Sequence, residues 1–316
     1  MASRSELGLE RVKQKLEKCF ESGDFYHTHQ MYRTIYFRFK RQEKYAECKD
    51  IMFEGAERLL SKGELNSGAD LAKLYLEVLS KGSIQADSEI MKKLAKLHSM
   101  MKPSSPERVD FTGECLQYST VLGDLSDKKA FGHPNMHRLL ALNYWAETNF
   151  RDAKYHFTRS LDGTSCALML IEYHLSKGYK SEVDLFIAQT VLQYLCLNNQ
   201  RTATVAFYVY TRWHPNVDGP PFVLPLLNFI WFLLLAVETR ANLAIFTVLC
   251  ERYKSFLARD PMYNVYLDKI GQLFFGKAVA PSERHPAGGL LGNMISQLMT
   301  ELDEEVGLGV YSEDVD

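Results

Sequence analysis

His133 and His137 stand four residues apart, a spacing that on a helix would turn two imidazoles to one side, as half of a metal site would require. Pro134 argues that His133 precedes the helix, and no third ligand is near in sequence. A capping histidine and a core histidine are therefore the favoured reading. "GTSCA" (163–167) shares one glycine with a nucleophile elbow, but it lacks the second glycine and no strand precedes it. There is no GxxxxGK[ST] loop, no strand followed by GxGxxG, no HExxH and no paired-cysteine zinc spacing. Cys19, Cys48, Cys115, Cys166, Cys196 and Cys250 lie 29 or more residues apart, as free thiols of a reducing compartment would. Carboxylates are plentiful but scattered, so no acid/base pair emerges. The chain reads as a non-enzyme that needs neither metal nor cofactor.

Surfaces for binding are better defined. Around residues 25–40, Phe25, Thr28, Tyr32, Ile35 and Phe39 recur at helical spacing and should face a core. Tyr26, His29, Gln30, Arg33, Phe37 and Lys40 fall opposite, mixing aromatics with cations. The preceding helix adds Arg11, Lys15 and Lys18 on the side away from Leu9, Val12 and Leu16. Residues 1–41 hold nine Lys or Arg against five acids. Such a face suits an acidic protein partner, with aromatics as anchors and cations steering the encounter. A solvated face whose aromatics pack on the next repeat would look the same.

The most apolar stretch, "GPPFVLPLLNFIWFLLLAVE" (219–238), raises the question of a membrane span. As a helix, Phe222 to Val237 would cover roughly 24 Å against a hydrocarbon core of ~30 Å. Pro220, Pro221 and Pro225 should set its start, and Glu238 and Arg240 its end. A buried helix is the expectation.

Helical periodicity dominates the elements that must carry these residues, with almost no alternation of period two. Breakers such as "ESGD", "SKGE", "SKGS", "MKPSSPE", "FGHPN", "LNNQ", "RWHPNVDGPP" and "ARDP" divide the chain into about fifteen helices. Ser105 before Pro106, and Asp260 before Pro261, have the form of N-caps with Pro at the first helical position. "FYHTHQMY" (25–32), "YAECKDIM" (45–52), "FRDAKYHF" (150–157) and "YKSEVDLF" (179–186) each open on an aromatic and carry Tyr, Met or Phe seven residues on. Phe150, Ala153 and Phe157 follow the small-then-aromatic pattern of tetratricopeptide-type pairs. The expected class is all-α: an α-solenoid of stacked antiparallel helix pairs, degenerate and tetratricopeptide-like.

We divide the chain into an N-terminal half (6–148), a C-terminal half (149–276), a linker (277–289), a terminal amphipathic helix (290–302) and a disordered acidic tail (303–316). Leu291, Met294, Ile295, Leu298 and Leu302 form the narrow stripe of that last helix, which suits either a solenoid cap or a partner's groove. Residues 301–316 hold seven acids and no base. Overall, 37 basic and 39 acidic residues nearly cancel, which gives no footprint for nucleic acid or an anionic membrane. "MASRSELGLE" lacks a signal-peptide core, so the cytosol is the expected compartment.

"GDFYHTHQMYRTIYFRF" (23–39), "SPERVDF" (105–111), "SEVDLFIAQTVLQYLCLNN" (181–199), "GPPFVLPLLNFIWFLLLAVE" (219–238), "FTVLCERYKSFLARDPMYNVYLDKIGQLFFG" (246–276) and "GGLLGNMISQLM" (288–299) resemble the Golgi-to-ER traffic protein 4 family. The resemblance implies a cytosolic, non-enzymatic adaptor in the delivery of tail-anchored membrane proteins to the endoplasmic reticulum. It implies that the N-terminal helices dock the pathway's targeting ATPase. The C-terminal part would hold the C-terminal region of a BAG-family chaperone scaffold, or a ubiquitin-like subunit directly. Carried onto this chain, the ATPase face is Arg11, Lys15, Lys18, Tyr26, His29, Arg33 and Lys40. The second surface is Phe222, Val223, Leu224, Leu227 and Trp231, with Leu291 and Met294 as further candidates. Neither nucleic-acid binding nor direct membrane insertion is expected. The rival reading is an architectural helical-repeat subunit of another cytosolic complex.

Overall fold

Four turns spaced twenty residues apart set the pattern of the first part of the chain. Gly23, Glu43, Gly63 and Ser83 all take positive φ, at 77°, 54°, 82° and 49°. In each, the N–H of the next residue reaches the carbonyl five residues back: Asp24 to Cys19, Lys44 to Phe39, Glu64 to Leu59 and Ile84 to Leu79, at 3.0–3.1 Å. This left-handed helix stop satisfies carbonyls that the helix end would otherwise orphan. Gly23 and Gly63 adopt it without penalty, whereas Glu43 carries a Cβ into it.

The structure is a computed structural model that describes residues 4–123 and 132–278; side chains are described from Val12 onward, Lys13 excepted. Its secondary structure is helical throughout these residues, with fifteen α-helices and one 3-10 turn. They form two compact units, Met1–Leu139 and Leu140–Asp316. The expected linker, terminal helix and tail lie outside the described residues, apart from Lys277 and Ala278.

The first unit holds α1 (Arg4–Glu21), α2 (Phe25–Arg41), α3 (Tyr45–Ser61), α4 (Leu65–Lys81), α5 (Ser88–Met100), α6 (Pro106–Leu122) and the start of α7 (Pro134–Ala146). Helices pack in the pairs α1–α2, α2–α3, α3–α4 and α5–α6, and α2–α4–α6 and α3–α5 also touch, so the chain builds two layers of alternating helices. Close approach relies on small residues. A Cβ on Gly55 would lie 2.7 Å from the Tyr32 ring, and one on Gly68 would lie 2.6 Å from Leu60. Thr28, Tyr32, Ile35 and Phe39 are buried and Phe25 is half-buried, as their spacing requires. Ser105 accepts from Arg108 N–H ahead of Pro106, the expected cap.

The second unit continues with α8 (Phe150–Thr158), α9 (Gly163–Lys177), a 3-10 turn (Lys180–Glu182), α10 (Val183–Cys196), α11 (Gln200–Trp213), α12 (Pro225–Glu238), α13 (Leu243–Arg252), α14 (Lys254–Leu257) and α15 (Met262–Phe274). Helix α10 touches α8, α9, α11, α12 and α15. It buries residues all round, including Val183, Ile187, Val191, Leu192, Tyr194 and Leu195, as a central helix must. Buried Asp184 is neutralised by Arg259 at 2.6 Å, and the same guanidinium donates to the Ser181 carbonyl. Asp260 accepts from Met262 N–H at 2.9 Å, but it lies one residue ahead of the expected place: Pro261 holds the N-cap position and α15 opens at Met262. The stretch 219–238 is resolved into a Pro-rich turn and α12, which opens at Pro225 and buries Leu226, Leu227, Phe229, Ile230, Leu233, Leu234, Ala236 and Val237. Among the described residues, no helix is long and apolar enough to cross a membrane.

Candidate functional site

The residues that first suggested chemistry are structural. His133 precedes α7: its Nδ1 accepts from Asn135 N–H at 3.1 Å and its carbonyl from His137 N–H, while His137 is fully buried. Among the described residues no group of three or more His, Cys, Asp or Glu side chains could hold a metal ion. "GTSCA" forms the first turns of α9, where Asp162 caps Ser165 N–H and burial pushes the Cys166 thiol up to about 12. A thiol so buried is a poor nucleophile.

The basic-aromatic face is assembled, but its charge is distributed differently from the simple helical projection. Tyr26 stands 75% exposed. Behind it, α4 meets the α2 cations with acids: Asp70 binds His29 Nε2 at 2.7 Å and Arg33 at 2.9 and 3.0 Å, and Glu77 binds Lys40 at 2.9 Å. Burial raises the Glu77 carboxyl, but the Lys81 and Lys40 ammoniums beside it, with the Tyr36 hydroxyl nearby, outweigh this and bring the group down to about 2. Phe37 is 46% exposed, with the Arg33 guanidinium 5.9 Å from its ring. Lys15 and Lys18 on α1, and Arg38 and Arg41 on α2, are exposed and make no ion pair among the described residues. Among the described residues, the unneutralised charge of this face therefore sits on α1 and on the far end of α2, while His29, Arg33 and Lys40 brace α2 against α4. The Arg11 side chain lies outside the described residues. Asp70 and Glu77 escaped sequence reasoning because no local pattern links residues 37 positions apart.

In the second unit, a cleft of ≈ 410 Å³ is lined by Lys180, Val183, Asn216, Val217, Asp218, Phe222, Val223, Leu224 and Leu227. Four of the five residues carried over from the resemblance line it, in unequal roles. Phe222 is buried, with its ring edge-on to Phe207 (5.8 Å) and Trp231 (6.1 Å). Its backbone is clipped by the Asn228 side chain, which accepts from Phe222 N–H at 2.9 Å and donates to its carbonyl at 2.6 Å. Leu227 is fully buried, so it and Phe222 form the wall. Val223 projects at 86% exposure, and Leu224 and Trp231 are half-buried. Leu291 and Met294 lie outside the described residues.

A chain of imidazoles holds the cleft's margins together. His174 Nε2 lies 3.0 Å from the Tyr179 carbonyl, His214 Nε2 lies 2.9 Å from His174 Nδ1, and Asn216 N–H donates to His214 Nδ1 at 3.1 Å. The carbonyl at one end and the N–H at the other fix both tautomers: His174 donates from Nε2 and accepts at Nδ1, as does His214. Burial, then neighbouring His174, lowers His214 to about 4.

The sequence profile of the family described as "GET4: Golgi to ER traffic protein 4" matches residues 42–299. The chain is 50% identical to the human Golgi to ER traffic protein 4 homolog over 305 residues, covering 96% of this chain and 91% of that protein. The homolog from Oryzias latipes is likewise 50% identical over 312 residues, 98% and 94% of the two chains. A crystal structure of C. therm. Get4 superposes with a TM-score of 0.78 at 25% identity, covering 92% of this chain and 95% of that one.

Proposed function

Because this chain belongs to the Golgi to ER traffic protein 4 family, we propose that it is a non-enzymatic cytosolic adaptor in the delivery of tail-anchored membrane proteins to the endoplasmic reticulum. It binds the targeting ATPase through α1 and α2. It binds a BAG-family scaffold's C-terminal region, or a ubiquitin-like subunit, at the cleft edge formed by Val223, Leu224 and Trp231 over Phe222 and Leu227. The observation that carries this reading is half-identity sustained over nearly the whole chain with proteins of that family. The basic-aromatic surface in one unit and the apolar-walled cleft in the other support it, since an adaptor needs two separate surfaces. Its work is proximity: two partners held on one chain meet at an effective concentration of order mM, with no covalent step.

Lys15→Glu combined with Lys18→Glu tests the ATPase face directly, because both ammoniums are exposed and make no ion pair among the described residues, so that their loss leaves the core intact. ATPase binding should weaken about tenfold or more at low salt and less at high salt, with scaffold binding and helix content unchanged. Equal binding by the two proteins at low salt would remove α1 from the interface. Arg33→Glu is a less clean probe, since it sets a carboxylate against Asp70. Copurification with neither ATPase nor scaffold would favour an architectural subunit of another complex.

A further inference from the structure

Helix α1 packs on α2, and among its described side chains only Leu16 is buried. An eighteen-residue helix is marginal in water on its own. Arg58 of α3 adds a hold of another kind. Its guanidinium grips the Glu17 carboxylate with both arms of the fork, Nη1 to Oε2 and Nη2 to Oε1, each at 2.7 Å. The same group lies 4.0 Å from the centre of the Phe20 ring. Phe20 in turn meets Phe25 of α2 edge-on at 5.5 Å, and Lys62 of α3 brings a second cation to 5.8 Å from its ring. Isolated surface ion pairs contribute little, but a bidentate pair packed on an aromatic ring is stronger. The Arg58 side chain is only 23% exposed.

We propose that Arg58 is the positioning residue of the ATPase-binding face: through Glu17 and Phe20 it fixes the rotation of α1 about its own axis, and with it the direction in which Lys15 and Lys18 point. At about 100° per residue, Leu16, Glu17 and Phe20 share one side of α1, and Lys15 and Lys18 fall on the opposite side. The clamp therefore grips the side away from the partner and leaves both cations exposed. Glu17 and Arg58 stand 41 residues apart, so no local pattern announces the pair. The proposal rests on the reading that α1 and α2 bind the ATPase, and adds what holds α1 in place. A helix docked for only part of the time offers its cations for that fraction, and the measured affinity falls in proportion.

Glu17→Gln tests this by sign, because the change is isosteric and removes an acid from a basic face. Electrostatics alone predicts tighter binding of an acidic partner, whereas loss of the clamp predicts weaker binding. In the intact protein Glu17→Gln should weaken ATPase binding about threefold and Arg58→Met about tenfold, with the double variant no weaker than Arg58→Met alone. Arg58→Lys, which keeps a cation near Phe20 but loses the fork, should fall between wild type and Arg58→Met. Without ATPase, amide exchange in α1 should quicken in both single variants, while amides of α4 and α10 and scaffold binding stay unchanged. Equal or tighter ATPase binding by Glu17→Gln, additive losses in the double variant, or unaltered exchange in α1 would each overturn the proposal. The Lys15→Glu, Lys18→Glu protein separates this from failure of the underlying reading. If it binds ATPase as wild type does at low salt, the face itself is misassigned and the proposal falls with it. If it binds weakly while Glu17→Gln binds normally, only the role of Arg58 is lost.

Discussion

At single-residue scale, the His174–His214 chain converts hydrogen-bond geometry into a pH dependence. His214 Nδ1 accepts from Asn216 N–H, so a proton there would face a donor. The folded-state pKa of about 4 lies below the ordinary value near 6.5. Between pH 6.5 and 4 the unfolded chain binds more protons than the folded one, and stability from this group is lost as pH falls through that window. The urea midpoint of the intact protein should decline there, and His214→Gln should flatten the decline. Glu43 offers the reverse opportunity. It is exposed, sits in left-handed backbone at φ 54°, and puts a negative charge at the carbonyl end of α2. Glu43→Gly should stabilise the protein by about 0.5–1 kcal/mol in chemical denaturation.

Between helices, propensity and packing compete at Gly55. Alanine would gain ~1 kcal/mol of helix propensity, but its Cβ would lie 2.7 Å from the ring of Tyr32, itself buried at 3% exposure. The ring cannot yield, so Gly55→Ala should destabilise by a net ~1–2 kcal/mol, measured by thermal or urea unfolding. Within α12, Ile230 is fully buried, and Ile230→Ala should cost ~2–5 kcal/mol in the same assay. Much at this scale was legible beforehand. Apolar spacing on α2 predicted its core face, prolines and caps predicted the starts of α6 and α12, and the aromatic first positions of α2, α3 and α8 coincide with Phe25, Tyr45 and Phe150. The turn at Glu43 carries no glycine or proline, so only the repeat of aromatic words marked it. The α13–α14 break at Tyr253 has no such cue. The pairing of α2 cations with Asp70 and Glu77 depends on which helices become neighbours, information that resides in three dimensions.

For the molecule as a whole, the two surfaces belong to different units, and the adaptor reading predicts that saturating the second partner leaves ATPase affinity unchanged. Titration of ATPase into the chain with and without scaffold would measure this, and competition between the two would count against separate surfaces. The same reading predicts that Lys15→Glu with Lys18→Glu blocks client handover to the ATPase while the scaffold remains bound.

The turns at Gly23, Glu43, Gly63 and Ser83 act as a phase lock with a twenty-residue beat. Deleting one residue inside α3 would rotate everything beyond it by about 100°, carrying Asp70 away from Arg33 and Glu77 away from Lys40 together. The exposed positions of these helices can therefore accept substitution, but a length change within them is survivable only when it restores the beat.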